Sequence, residues 1–248
     1  MRVTEFRKYE LLGAYHWAAT FGPWRRVSPR LRSLYALALR AVAAEIRVRG
    51  ALGLDVGCGD GVMLRMAKEA GAAMVGVDVT RAALRLVRQL CRGAGLEARV
   101  LRCDAQSLPF PSGTFDFATC LEVIEHVPDP HALIRELHRV LAPRGVAVLS
   151  TPVAAENGAL QDPYHLREFR PEEIHAMAER RFPRVSVRGV YPRFLDRIYI
   201  RGTGVRRLDR IIRGAFKAAT RVGLNPYRLA GFQDPAACRT IVTICAKA

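Results

Sequence analysis

The sequence predicts a doubly wound α/β fold, a mostly parallel sheet with helices on both faces. Two observations predict it. From residue 50 onward, short apolar runs alternate with helical patterns, the order that sandwiches a parallel sheet between two helical layers. Three successive strand-like runs also end in an acid, Asp55, Asp78 and Asp104, and a glycine-rich turn follows the first. At 248 residues, half of them hydrophobic, the chain is long enough to bury a large core and too apolar to be disordered.

The strands read in order as 51–56, 72–79, 97–103, 115–121, 145–151, 184–191 and, after a long interruption, 238–246. Helical patterns fall at 61–71, 80–92, 130–141 and 171–181, the last opened by Pro171 before Glu172 and Glu173, residues that suit a helix start. The division that follows is an N-terminal helical lid at 1–50, a Rossmann-like core at 51–192, a helical insertion at 193–237 and the last strand of the core at 238–248.

Nothing in "MRVTEFRKYE" resembles a secretory signal, and no apolar run approaches a membrane span. The six cysteines form no CxxC pair, which predicts reduced thiols and a cytoplasmic setting. Charge is unevenly distributed. The formal net charge is +16: residues 1–50 carry 10 basic and 3 acidic groups, 51–192 carry 17 of each, and 193–248 carry 12 and 3. A neutral middle with basic flanks implies a body that binds a small ligand and ends that meet something anionic.

The chemistry begins at "LGLDVGCGDG", where Gly57, Gly59 and Gly61 follow Asp55 and precede a helix. Glycines there let backbone approach a ligand at the carboxyl edge of the sheet. A dinucleotide fingerprint fails, because Val62 occupies the place of its third glycine. Asp78, 23 residues after Asp55, is positioned to accept both hydroxyls of a ribose, and Asp104 to accept from an adenine amino group. Either acid can instead cap the helical segment that follows it. Their succession behind a GxGxG turn favours the ligand reading.

With these residues the chain resembles the class I methyltransferases, in particular the broad subgroup that includes the ubiquinone-biosynthesis O-methyltransferases. The likeness runs through 51–191, including "RVLAPRGVAVLSTP". It implies a seven-stranded sheet whose last strand is antiparallel, and S-adenosylmethionine as cofactor. It also implies a cofactor set of Asp55, Gly57, Cys58, Gly59, Asp78, Val79, Asp104, Ala105 and Leu121. In that set Gly57 and Gly59 lie under the methionine part, Asp78 on the ribose and Asp104 with Ala105 at the adenine. Methyl transfer needs alignment and, for some acceptors, a base. His126 and His165, after the fourth and fifth strands, are the candidate bases, with loop bridging as the competing role. His131, His138 and His175 read as surface residues, and His16 as helix packing. Glu122-x-x-Glu125-His126 is similar to an acid-acid-His cluster credited with magnesium, but His is an atypical magnesium ligand, and no metal is assigned.

The expected activity is methylation of a small-molecule or lipid-like acceptor, at oxygen. The alternatives are an RNA methyltransferase, against which "CLEVIEH" stands where an (N/D)PPY-type motif would lie, and a non-catalytic cofactor-binding scaffold. Residues 205–222 form an amphipathic helix with Val205, Leu208, Ile211, Ile212, Ala215, Phe216, Ala219 and Val222 on one side and six cations opposite. Two expectations compete for it: a helix laid on the sheet domain, or peripheral contact with a membrane.

Overall fold

The computed structural model describes residues 7–23 and 26–248. The described chain opens with α1 (Lys8–Leu12), α2 (Tyr15–Phe21) and α3 (Pro29–Glu45). The alternating part follows as β1 (Leu52–Val56), α4 (Val62–Glu69), β2 (Ala73–Asp78), α5 (Arg81–Gly93), β3 (Arg99–Arg102) and β4 (Phe115–Leu121). Next come a 3₁₀ turn (Ile124–His126), α6 (Pro130–Val140), β5 (Leu141–Pro152), α7 (Pro171–Glu179) and β6 (Arg184–Pro192). The insertion holds α8 (Arg193–Asp196), a π turn (Arg197–Arg201), α9 (Arg206–Arg221) and α10 (Pro226–Ala230), before β7 (Cys238–Ala246).

The seven strands form one sheet in the order β3-β2-β1-β4-β5-β7-β6. The pairs from β3 through β5 are parallel, and β7 runs antiparallel to both β5 and β6. The order reverses at β1, so β1 and β4 diverge there and leave a crevice at their carboxyl ends, where open α/β sheets bind ligands.

Alternation along the strands builds two cores. In β5, Val146 and Val148 face one layer with Leu34, Leu37, Met63 and Leu64, while Ala147 and Leu149 face the other with Leu133, Leu137, Ile174 and Phe182. The helices that cover these faces are locally specified. Ser28 accepts from Leu31 N at 3.3 Å with Pro29 in the first helical position, and α3 buries Leu34, Leu37, Ala38, Ala41 and Val42 at helical spacing. Asp129 caps α6 in the same way through Ala132 N at 3.0 Å.

Several expectations are corrected. β5 begins at Leu141 rather than 145, so α6 ends a residue earlier than its pattern implied; Arg144, with φ +63°, turns within the strand's early part. His138 is half-buried, with its ring edge-on to Phe182 at 5.1 Å. His175 is half-buried and lies 3.2 Å from Glu179. Helix α9 packs against α3, α10 and the π turn, with Phe216 against the core, and only part of its apolar side is covered. Among the described residues, no helix is long and apolar enough to cross a membrane.

Candidate functional site

The crevice at the carboxyl edge opens into a cleft of about 510 Å³. Of the residues assigned to the cofactor or to base catalysis from the sequence, all but Gly59 line it; Gly61, the turn's third glycine, does not. Gly57 has φ +70°, in the left-handed region that glycine enters without a steric cost, and a Cβ there would meet Val123 Cγ2 at 2.3 Å. Gly59 faces Tyr9, whose hydroxyl would lie 2.0 Å from an added Cβ, so the turn's second glycine seats the N-terminal segment rather than the cleft wall.

Asp78 is buried at the tip of β2. Its Oδ2 accepts from Gly59 N at 3.0 Å, and its Oδ1 accepts from Thr80 N at 2.8 Å and Thr80 Oγ1 at 2.7 Å. A carboxylate offers about four lone-pair directions, so a single strong one remains, on Oδ2. Capping and ligand roles therefore coexist in this side chain. Burial raises its pKa, opposed by those same hydrogen bonds. Asp104 is exposed and similarly engaged: Oδ1 accepts from Gln106 N at 2.8 Å, and the Gln106 amide donates to both oxygens. Asp55 is buried. It accepts from Thr119 Oγ1 at 2.8 Å, and desolvation pushes its pKa up to about 7.

The other end of the cleft is built from loops. His165 Nδ1 lies 2.6 Å from Glu168 Oε1, with both side chains nearly inaccessible at 7% and 2%. His126 Nδ1 lies 2.9 Å from Tyr164 O, and since a carbonyl only accepts, that nitrogen carries a proton. Burial lowers the His126 pKa, and the two rings meet edge-on at 5.0 Å. Glu122 and Glu125 do not share a helical face. Glu122 ends β4 with φ +55°, and its Oε1 accepts from Ser150 Oγ at 2.9 Å. Glu125 is wholly buried, and among the described residues neither oxygen has a hydrogen-bond partner. Donor atoms of Glu125, His126 and His165 lie within 4.8 Å of one another. Burial, then the neighbouring Glu122, holds the Glu125 carboxyl well above the ordinary range, and a metal ligand must first lose that proton.

The N-terminal helices contribute residues that the sequence did not single out. Tyr15, Arg30 and Tyr35 line the cleft, as does Lys8, which pairs with Asp162. Asp60, in the glycine turn, holds α2 by accepting from Trp17 N at 2.8 Å. His16 also lines the cleft, with its pKa lowered to about 4 by burial, so its ring is neutral at ordinary pH. These residues are far in sequence from the glycine turn and carry no local motif. Glu168 carried no such signal either, since its i+3 spacing from His165 marks a pair only on a helix and 161–170 is loop.

Residues 54–149, the stretch that contributes the glycine turn and both strand-tip acids, match the family model for a methyltransferase domain. The chain is 34% identical over 151 residues to the ubiquinone biosynthesis O-methyltransferase of Pseudomonas paraeruginosa, covering 59% of this chain and 62% of that protein. It therefore spans less than two thirds of that relative. Against the protein of the same name from Methylococcus capsulatus, it is 29% identical over 221 residues, covering 86% and 91%. Among solved structures, phosphoethanolamine N-methyltransferase 2 of Haemonchus contortus, in complex with S-adenosyl-L-methionine, superposes with TM-score 0.65 at 17% identity, over 98% of this chain and 58% of the other. The cyclase SpnF superposes at 0.59 and 22% identity, over 86% and 80%. These structural likenesses establish a Rossmann-like fold.

Proposed function

We propose that this chain is an S-adenosylmethionine-dependent methyltransferase acting at an oxygen of a small-molecule or lipid-like acceptor. One observation carries the reading: the glycine turn, Asp78 and the Asp104 loop meet at one end of a single cleft, with a His–Glu pair at the other. The residues fit the cofactor. A cleft of about 510 Å³ is within the usual range for ligands of that size. The lone pair left on Asp78 Oδ2 takes one ribose hydroxyl, and Val79, Ala105 and Leu121 supply apolar walls. The enclosed Asp55 lies beneath the glycine turn and holds the Thr119 hydroxyl. When bound, the sulfonium group supplies an already activated methyl carbon.

The protein's own part is to align the acceptor and manage one proton. Glu168 fixes the His165 tautomer with hydrogen on Nδ1, leaving Nε2 to take a proton from an acceptor hydroxyl. The carboxylate then steadies the imidazolium. Oxygen acceptors also accord with the relatives' name, ubiquinone biosynthesis O-methyltransferase.

The test is release of S-adenosylhomocysteine in the presence of catechols, plain and isoprenoid-substituted, with total RNA as a parallel acceptor. The reading predicts turnover on a phenolic oxygen and a methyl ether as product. Methyl incorporation into RNA alone overturns it, and cofactor binding without turnover on any phenol leaves the scaffold reading.

A further inference from the structure

Helix α9 presents three faces rather than two. At about 100° per residue, Ile212, Phe216, Ala219 and Thr220 share the packed side. Phe216 stacks on Tyr199 with ring centroids 5.2 Å apart and meets Tyr227 at 6.1 Å. About a quarter-turn round the axis lie Leu208, Ile211 and Val222, which remain exposed; Ile211 is 67% accessible and Val222 71%. The next arc carries Arg206, Arg207, Arg210, Lys217 and Arg221. Half of the apolar stripe is therefore left in solvent, directly beside the cations. Exposed Leu224 and Leu229 extend the apolar patch past the helix end.

The charge is not neutralised locally. Residues 193–230 hold ten basic and two acidic groups, a balance of +8, and both acids are committed. Asp196 accepts from the Tyr227 hydroxyl at 2.8 Å and lies 3.6 Å from Arg30. Asp209 accepts from Thr203 N at 2.6 Å and Thr203 Oγ1 at 2.8 Å. Among the described residues, Arg206, Arg207, Arg210 and Arg221 form no ion pair.

We propose that this face docks reversibly on an anionic lipid surface, with the apolar arc at the acyl boundary and the arginines on the headgroups. Adjacent apolar and cationic arcs suit a helix lying in a membrane interface. A nucleic acid would engage the arginines and leave Leu208, Ile211 and Val222 wet. A second copy of the chain would set +8 against +8. The insertion that carries this face is joined to the cleft wall through α3. The insertion is fastened to α3 by Asn225 Nδ2, which donates to Pro29 O at 2.7 Å, and by Asp196 beside Arg30, and α3 carries Arg30 and Tyr35 into the cleft.

Vesicle binding tests this independently of methyl transfer. The full chain is co-sedimented with vesicles of phosphatidylcholine alone and of phosphatidylcholine with phosphatidylglycerol, at low and high salt. Two variants are compared, one with Arg206, Arg207, Arg210 and Arg221 changed to Gln, the other with Leu208, Ile211 and Val222 changed to Ser. All seven positions are exposed, and thermal melts check that both variants fold. The expected result is retention by the anionic vesicles only, weaker at high salt where the Debye length falls to about 3 Å, and at least tenfold weaker in each variant. Ile211→Trp should add a blue-shifted emission component with anionic vesicles. Absence of retention at low salt overturns the proposal. So does retention that the Ser variant leaves unchanged, or an RNA mobility shift without vesicle retention.

Discussion

Asp55 sits near the end of β1, 3% exposed at the floor of the cleft, and its partner Thr119 only partly offsets the loss of hydration. A carboxyl held near 7 in the folded state and near 3.8 in the unfolded chain binds its proton more tightly when folded. Its contribution is favourable below about pH 4 and is lost as pH rises toward 7. The full difference corresponds to roughly 4 kcal/mol at most. Asp55→Asn keeps the acceptor for Thr119 and removes the ionisation, so it should melt above wild type at pH 8 and lose that advantage by pH 4. Thermal melts across that range check the sign, and an advantage that grows toward acid contradicts it. At the opposite end of the cleft, His165→Ala should lower kcat by about 10²–10⁴-fold with cofactor affinity intact. Glu168→Gln, which leaves the base but removes its ionic partner, should cost less and displace the pH–rate profile. Wild-type turnover in both variants would mean that transfer relies on alignment alone.

At the scale of elements, the turn between β1 and α4 concentrates the constraints. Gly57 is in the left-handed region with Val123 directly over it, so Gly57→Ala adds backbone strain and a collision at once. A loss of about 2–3 kcal/mol in stability is expected, with a larger proportional loss of cofactor affinity because the turn itself moves. Calorimetric unfolding measures the first, and unchanged stability would mean that the turn relaxes freely. Elements of this kind were legible in the sequence because each is specified locally: β4 and β7 fall where their apolar runs begin and end, and Asp78 and Asp104 sit at or just past strand ends. α8 and α10 were not legible, being too short to show a period. The coverage of α9 was not legible either, since periodicity marks an apolar side without stating how much of it finds a partner. Arg30, Tyr15 and Tyr35 reach the cleft through tertiary packing of α2 and α3, which no spacing near the glycine turn encodes.

For the whole molecule, the two cores and the reversal of strand order at β1 serve one end: they hold strand tips rigid around a cleft whose far wall is made of the N-terminal helices and the loop after β5. The electroneutral stretch from 51 to 192 supplies most of the cleft's lining, and the N-terminal flank adds Lys8 and Arg30. The central claim is that this cleft binds S-adenosylmethionine through the glycine turn and Asp78. Calorimetric titration of S-adenosylmethionine into the chain and into Asp78→Ala tests it most directly. The account predicts one saturable site in the wild type, weakened by about 1–3 kcal/mol in the variant, which strands a ribose hydroxyl and frees the Gly59 and Thr80 donors. No binding to the wild-type chain, or equal affinity in Asp78→Ala, contradicts it.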